Sequence, residues 1–138
     1  MDQATAVATA IATLTFAALP AIGQPLDAGT FVGLTTTADG KHCAVVLLDD
    51  KPIKRLNWDD AKAWADGLGG TLPSRPVAAL LFANARSSFE PYWHWSCEEH
   101  EHDGSDAWGQ NFYYGRSGYD GKSYEARARA VRLIHISA

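Results

Sequence analysis

Leu56-Asn-Trp-Asp-Asp-Ala-Lys-Ala-Trp-Ala-Asp-Gly-Leu-Gly-Gly-Thr-Leu-Pro-Ser-Arg75 is the stretch that decides the fold. Ala61, Trp64, Ala65 and Leu68 recur at helical spacing and form one apolar stripe. Asn57 is a favoured N-cap, and Asp60 stands three residues further on, as in a capping box. Gly69-Gly70 stop the helix. Thr71-Leu72-Pro73 is a short extended piece. Ser74 then caps a second helix, with Pro76 near its start and Val77, Leu80, Leu81 and Ala85 as its stripe.

Working outward, Phe31 to Leu34 and His42 to Leu48 read as strands joined by a turn at Asp39-Gly40. After the helices, Tyr92 to Ser96, Ala107 to Tyr114 and Ala126 to Ile136 also read as strands, joined by Gly-, Asp- and Ser-rich loops. The order β-β-α-α-β-β-β predicts an α+β domain over residues 26–138, with two helices against a small, mostly antiparallel sheet.

A chain of 138 residues that is 46% hydrophobic holds one domain and one core, plus at most a short appendage. Its net charge of -4 argues against binding a nucleic-acid backbone, since no basic stripe is present to neutralise phosphates. Cys43 and Cys97 make neither a CxxC site nor a disulfide framework; one bridge or two buried thiols both fit.

Residues 1–25 read as a separate apolar segment. Residues 4–23 carry no charge. Asp2 stands before the apolar run and no Lys or Arg occurs until Lys41, which opposes a signal peptide. Four threonines interrupt a run barely long enough to cross a bilayer, which opposes a membrane span. Val7, Ile11, Leu14 and Ala18 would form one stripe on a helix, and this favours anchoring or oligomerisation. The alternating Thr and Ala also suit an extended arm packed on its own domain.

All five tyrosines, three of the five tryptophans and three of the five histidines lie between Tyr92 and Arg132. They are interleaved with Ser, Gly, Asn and Asp. Tyr and Trp give large contact area at low entropy cost, and the small polar residues give adaptable hydrogen bonds, which is the composition of a binding surface.

Two stretches carry a family resemblance. Leu56 to Arg75 is similar to the helix followed by Gly-Gly-x-Leu-Pro-Thr/Ser of C-type-lectin-like and formylglycine-generating-enzyme-like domains. Tyr92-Trp-His-Trp-Ser96, Ala107-Trp108, Phe112 and Arg127-Ala-Arg-Ala-Val-Arg132 resemble the pattern of the DUF1566 family, related to the C-terminal domain of the Legionella collagen-like protein. Leu81-Phe-Ala-Asn84 resembles short members from tailed phages and prophages. The resemblance implies a C-type-lectin-like fold in which two helices support a small sheet and the segment between the later strands displays the ligand. It implies a non-enzymatic virion protein, assembled in the host cytoplasm, acting as a tail tip, head fibre or capsid decoration. The implied partners are other virion proteins, further copies of the chain (a homotrimer favoured) and a host-surface glycan or protein. A secreted or envelope adhesin is the alternative. No cofactor is implied.

Trp93, Trp95 and Trp108 match positions that the family uses in its core. Arg127, Arg129 and Arg132 alternate with small residues, so they are expected to pair with carboxylates or loop carbonyls. The run from His94 to Asp103 gathers imidazole, thiol and carboxylate groups, but its spacing fits no zinc signature. A calcium set from Glu98, Glu101, Asp103 and Asp106 lacks the lectin calcium tripeptides. No metal ligand or catalytic residue is therefore assigned. On a strand, if Trp108, Gln110 and Phe112 point inward, Asn111 and Tyr113 point outward. The residues expected to contact ligand are His94, His100, His102, Asp106, Asn111, Tyr113, Tyr114, Arg116, Tyr119, Asp120 and Tyr124.

Overall fold

The computed structural model describes residues 11–137. Eight strands and two α-helices follow in the order β1 (Thr13–Thr15), β2 (Pro25–Leu26), β3 (Gly29–Thr36), β4 (His42–Leu48), α1 (Trp58–Gly67), α2 (Arg75–Ala85), β5 (Trp93–Glu99), β6 (Asp106–Asn111), β7 (Ser117–Gly121) and β8 (Val131–Ser137). The fold is α+β, but it has two sheets where the sequence predicts one. The larger has the order β1-β8-β4-β3-β2, and the smaller β5-β6-β7. All pairs are antiparallel except β1 with β8.

Both helices start where their caps predict. The Asn57 side chain accepts from Asp60 N at 2.9 Å, and that of Ser74 accepts from Val77 N at 3.3 Å. β4 explains its own unbroken apolar sequence, because both of its faces are buried. Ala44, Val46 and Leu48 join Trp58, Ala61, Ala65 and Trp95 in one core cluster. Val45 and Leu47 join Val77, Leu81, Phe89 and Phe112 in the other. The helices thus serve opposite faces of the main sheet. A bulge in β3 between Phe31 and Gly33 lets α2 dock closely, and Asn84 Nδ2 donates to Val32 O there at 2.8 Å. Gly33 has φ +138°, and a Cβ at this position would stand 3.0 Å from Leu80.

The apolar N-terminal stretch differs from the expected helix. Residues 13–15 form an edge strand whose register with β8 runs from Thr13↔His135 to Thr15↔Ser137, and residues 16–18 form one 3-10 turn. Threonines at 13 and 15 suit a strand better than a helix. Ile11 and Leu14 are half-buried against the core, and Ala18 is exposed. Arg132 Nη1 donates to Ile11 O at 2.6 Å and pairs with Asp27 at 2.8 Å. Val7 lies outside the described residues. Of the segment given the boundary 1–25, residues 13–15 and Pro25 pair with strands of the main sheet. No helix among the described residues is long and apolar enough to cross a membrane.

The expected strand Ala126–Ile136 pairs as a ladder only from Val131. Residues 126–130 are extended but exchange bonds with several elements. Ala126 pairs with Leu56 in both directions, Trp95 N donates to Arg127 O at 3.0 Å, and Leu48 N donates to Ala130 O at 3.0 Å. Ala126, Ala128 and Ala130 are buried, Ala130 completely. A larger side chain has no room here: Ala130→Leu is expected to lower unfolding free energy by roughly 1–3 kcal/mol. Urea denaturation checks this as a lower midpoint at unchanged slope.

Candidate functional site

The smaller sheet carries the aromatic residues, and its two faces differ. Trp93 lies across Gly109 and Gly118 on the neighbouring strands. A Cβ on Gly109 would come within 2.6 Å of the Trp93 ring, and one on Gly118 within 3.2 Å. These glycines let a large indole lie flat on the sheet. The opposite face presents His94, Gln110 and Phe112 to the core beneath α2, and each is at most 4% exposed. Trp95 is buried and donates its indole N–H to Leu56 O at 2.9 Å. Trp108 is only half-buried. The Arg75 guanidinium sits 3.4 Å above its ring and His100 stacks on it at 5.3 Å.

The residues expected to meet ligand fall into separate groups. Tyr113, Tyr114 and Tyr124 come together with Tyr92, Trp93, Asn111, Arg55 and Arg127 around a groove of about 650 Å³. Tyr92, Tyr113, Tyr114 and Tyr124 are each about half exposed, at 50, 55, 65 and 47%. Asn111 shapes the groove: its side-chain oxygen accepts from Tyr113 N at 2.8 Å and Tyr114 N at 3.0 Å. That cap ends β6 three residues earlier than the sequence predicts. Arg86 Nη2 holds the same turn through Tyr113 O at 2.7 Å. Arg116 lies over the Tyr114 ring at 5.5 Å and does not line the groove.

His100, His102 and Tyr119 form a second patch around Trp108. The His100 ring is 4.2 Å from that of Tyr119 and 5.9 Å from that of His102. Asp106 and Asp120 stand on the paired strands β6 and β7, where Asp120 accepts from Gly121 N at 2.7 Å. Neither lines the tyrosine groove.

His94 departs from the expectation of an exposed ligand contact. It is 4% exposed, sits edge-on to Phe89 and Phe112 at 5.2 and 5.0 Å, and bonds Tyr92 O through Nδ1 at 3.0 Å. As the cross-strand partner of Gln110, it shares that residue's buried face.

The acidic loop does local work. Glu98 accepts from Arg75 N at 2.7 Å, Glu101 from Trp108 Nε1 at 3.2 Å, and Asp103 from Ser105 N at 3.0 Å. Among the described residues, no three His, Cys, Asp or Glu side chains are grouped to hold a metal ion. Cys43 and Cys97 are both free thiols, and burial pushes each above its ordinary range.

The arginines behave as their alternation predicts. Arg127 pairs with Glu90 at 3.1 Å, and Arg129 donates to Ser88 O and Leu48 O at 2.5 and 2.9 Å. Arg127 also lies over the Tyr92 ring at 4.0 Å and so forms part of the groove wall. Sequence reasoning missed Arg55, Tyr92 and Arg127 as groove residues. The signal for Tyr92 was its place beside Trp93; Arg55 carried none.

Neither the family models nor the curated proteins yield a match to this chain.

Burial lowers the His94 pKa to about 4, with the neighbouring arginines adding to the effect and the Tyr92 carbonyl opposing it. The unfolded chain takes up this proton near pH 6.5, so His94's contribution to stability is full above that pH and falls as pH drops toward 4. Between pH 7 and pH 4.5 the loss is about 2–3 kcal/mol at about 1.4 kcal/mol per pH unit. Denaturant titrations at the two pH values check this, and His94→Phe is expected to flatten that part of the profile.

Proposed function

We propose that this chain is a non-enzymatic recognition domain that binds its ligand in the tyrosine groove. The observation that carries this reading is the groove itself. Four half-exposed tyrosines surround a concave surface, and the turn that presents Tyr113 and Tyr114 is fixed by Asn111 and Arg86. Rigid amphipathic rings over a pre-formed hollow bind with little loss of entropy. The thiols, held above their ordinary range by burial of Cys43 and partial burial of Cys97, and the neutral, buried His94 support a binding role over a catalytic one.

The resemblance of residues 56–75 and 92–132 supports the finer reading, a C-type-lectin-like domain of the DUF1566 type on a phage virion. Two helices on a sheet, with a second small sheet carrying the aromatic residues, fit that reading. A tail tip, head fibre or capsid decoration would each use such a domain. Attachment to other virion proteins or to further copies, with a homotrimer favoured, is supported by an apolar cleft beside β1. Phe16, which is 66% exposed, lines it with Leu34 and Leu80.

Labelled full-length protein should bind cells of the bacterial strain that carries the gene or its prophage. Tyr113→Ala/Tyr124→Ala should weaken that binding at least about tenfold, with the melting temperature unchanged, as both side chains are exposed. Equal binding by the variant would sink the groove as the recognition surface. Mass spectrometry of purified virions should detect the chain; its presence only in the cell envelope would favour the adhesin instead.

A further inference from the structure

Next to the tyrosine groove lies a smaller cavity of about 380 Å³ with an unusual charge. Lys51, Lys54, Arg55, Arg127 and Arg129 line it, against the single carboxylate of Glu90. Glu90 is already paired with Arg127. Such a concentration of cations is notable in a chain of net charge -4. Asp49 is close enough to Arg129 to influence it, but among the described residues no carboxylate forms an ion pair with Arg129.

Arg129 makes this a built site. Its side chain is 6% exposed, and its two terminal nitrogens are held by the carbonyls of Ser88 and Leu48. Its Nε is buried with no partner among the described residues. A buried cation with an unfilled donor and no counter-ion favours an anion at its side. Pro52, Ile53 and Ala128 add an apolar wall, and neutral His94 lines the same space. Arg55 and Arg127 line both this cavity and the tyrosine groove, so the two lie side by side.

We propose that the two hollows form one site for an acidic saccharide. This deepens the proposed function and rests on the groove as the recognition surface. The apolar face of a sugar ring packs on the tyrosines, as aliphatic C–H surface packs on any aromatic ring. Its carboxylate enters the cationic cavity, where Arg55 and Lys54 at the mouth and Arg129 at the base supply the opposing charge. A neutral glycan would fill the groove and leave the cations unused, so the charge sets specificity.

The test uses the full chain, isotopically labelled, titrated by NMR with sialyllactose and trigalacturonate as acidic probes. Lactose serves as the neutral probe and inorganic phosphate as the bare anion. Both acidic probes should bind at least about tenfold more tightly than lactose, and added salt should weaken them selectively. Lys54→Gln/Arg55→Gln alters only exposed side chains and should bring the acidic probes down to the affinity of lactose. Tyr113→Ala/Tyr124→Ala should weaken all three saccharides.

Equal binding of acidic and neutral saccharides, unaffected by the Lys54/Arg55 variant, would overturn the inference and leave the groove reading standing. Phosphate binding as tightly as the acidic saccharides would reduce the cavity to a bare anion site and overturn it as well. Failure of both acidic probes to bind also overturns it. Cell binding by the tyrosine variant then decides separately whether the groove survives.

Discussion

The fold depends on the extended strip Ala126–Arg132, which bonds to both sheets and runs into β8 at Val131. Its backbone is bonded in turn to Leu56, Trp93, Trp95, Leu48 and Thr71, so it joins elements far apart in sequence. Such an approach requires small side chains on the inner face, which Ala126, Ala128 and Ala130 supply. The alternating arginines point elsewhere, and each fastens a different segment. Arg127 holds the loop at Glu90, Arg129 holds the carbonyls of Ser88 and Leu48, and Arg132 holds Asp27 and the carbonyl of Ile11 ahead of β1. One sequence pattern thus closes the core and ties down three peripheral segments.

A second constraint positions the recognition surface. Trp93 can lie flat only because its neighbours on β6 and β7 are Gly109 and Gly118. Its ring forms part of the floor from which the tyrosine turn rises. At the far end of the same sheet, Trp108 is clasped between Arg75 and His100. Arg75 also donates to Ser117 at 3.2 Å, which ties the start of α2 to β7. Arg75 therefore pins the small sheet to the start of α2.

The helices were legible in the sequence because their signals are local. Asn57, Ser74 and Gly69-Gly70 act within a few residues, and the stripes on α1 and α2 follow from period alone. β4 was legible for the same reason. What escaped was set by distant partners. β7 was hidden by Gly118 and Gly121, which lower strand propensity; Gly118 is needed for the Trp93 ring, and Gly115 before the strand for a turn at φ +80°. The N-terminal stripe fits a helix by spacing, yet the edge of β8 holds residues 13–15 as a strand. At the site, exposure of the tyrosines could be read from composition. The burial of His94 could not, because it follows from its cross-strand pairing with Gln110. Arg55 was invisible, since only the fold brings it beside Arg127.

The strip also links stability to recognition. Burial favours deprotonation of Arg129, yet a guanidinium keeps its charge in a protein, so the cost of desolvating it remains in the native state. Two carbonyls offset part of this cost, but they bring no negative charge. His94, facing the same hollow, answers its surroundings differently: it gives up its proton and stays neutral. The hollow therefore gathers more positive than negative charge, with Glu90 its one carboxylate. An anion seated there would meet a charge already desolvated and held in place by the fold, so little reorganisation would oppose binding. Since only the native chain assembles Arg127, Arg129 and the Lys51–Arg55 loop around one space, such a ligand stabilises the fold in proportion to its affinity.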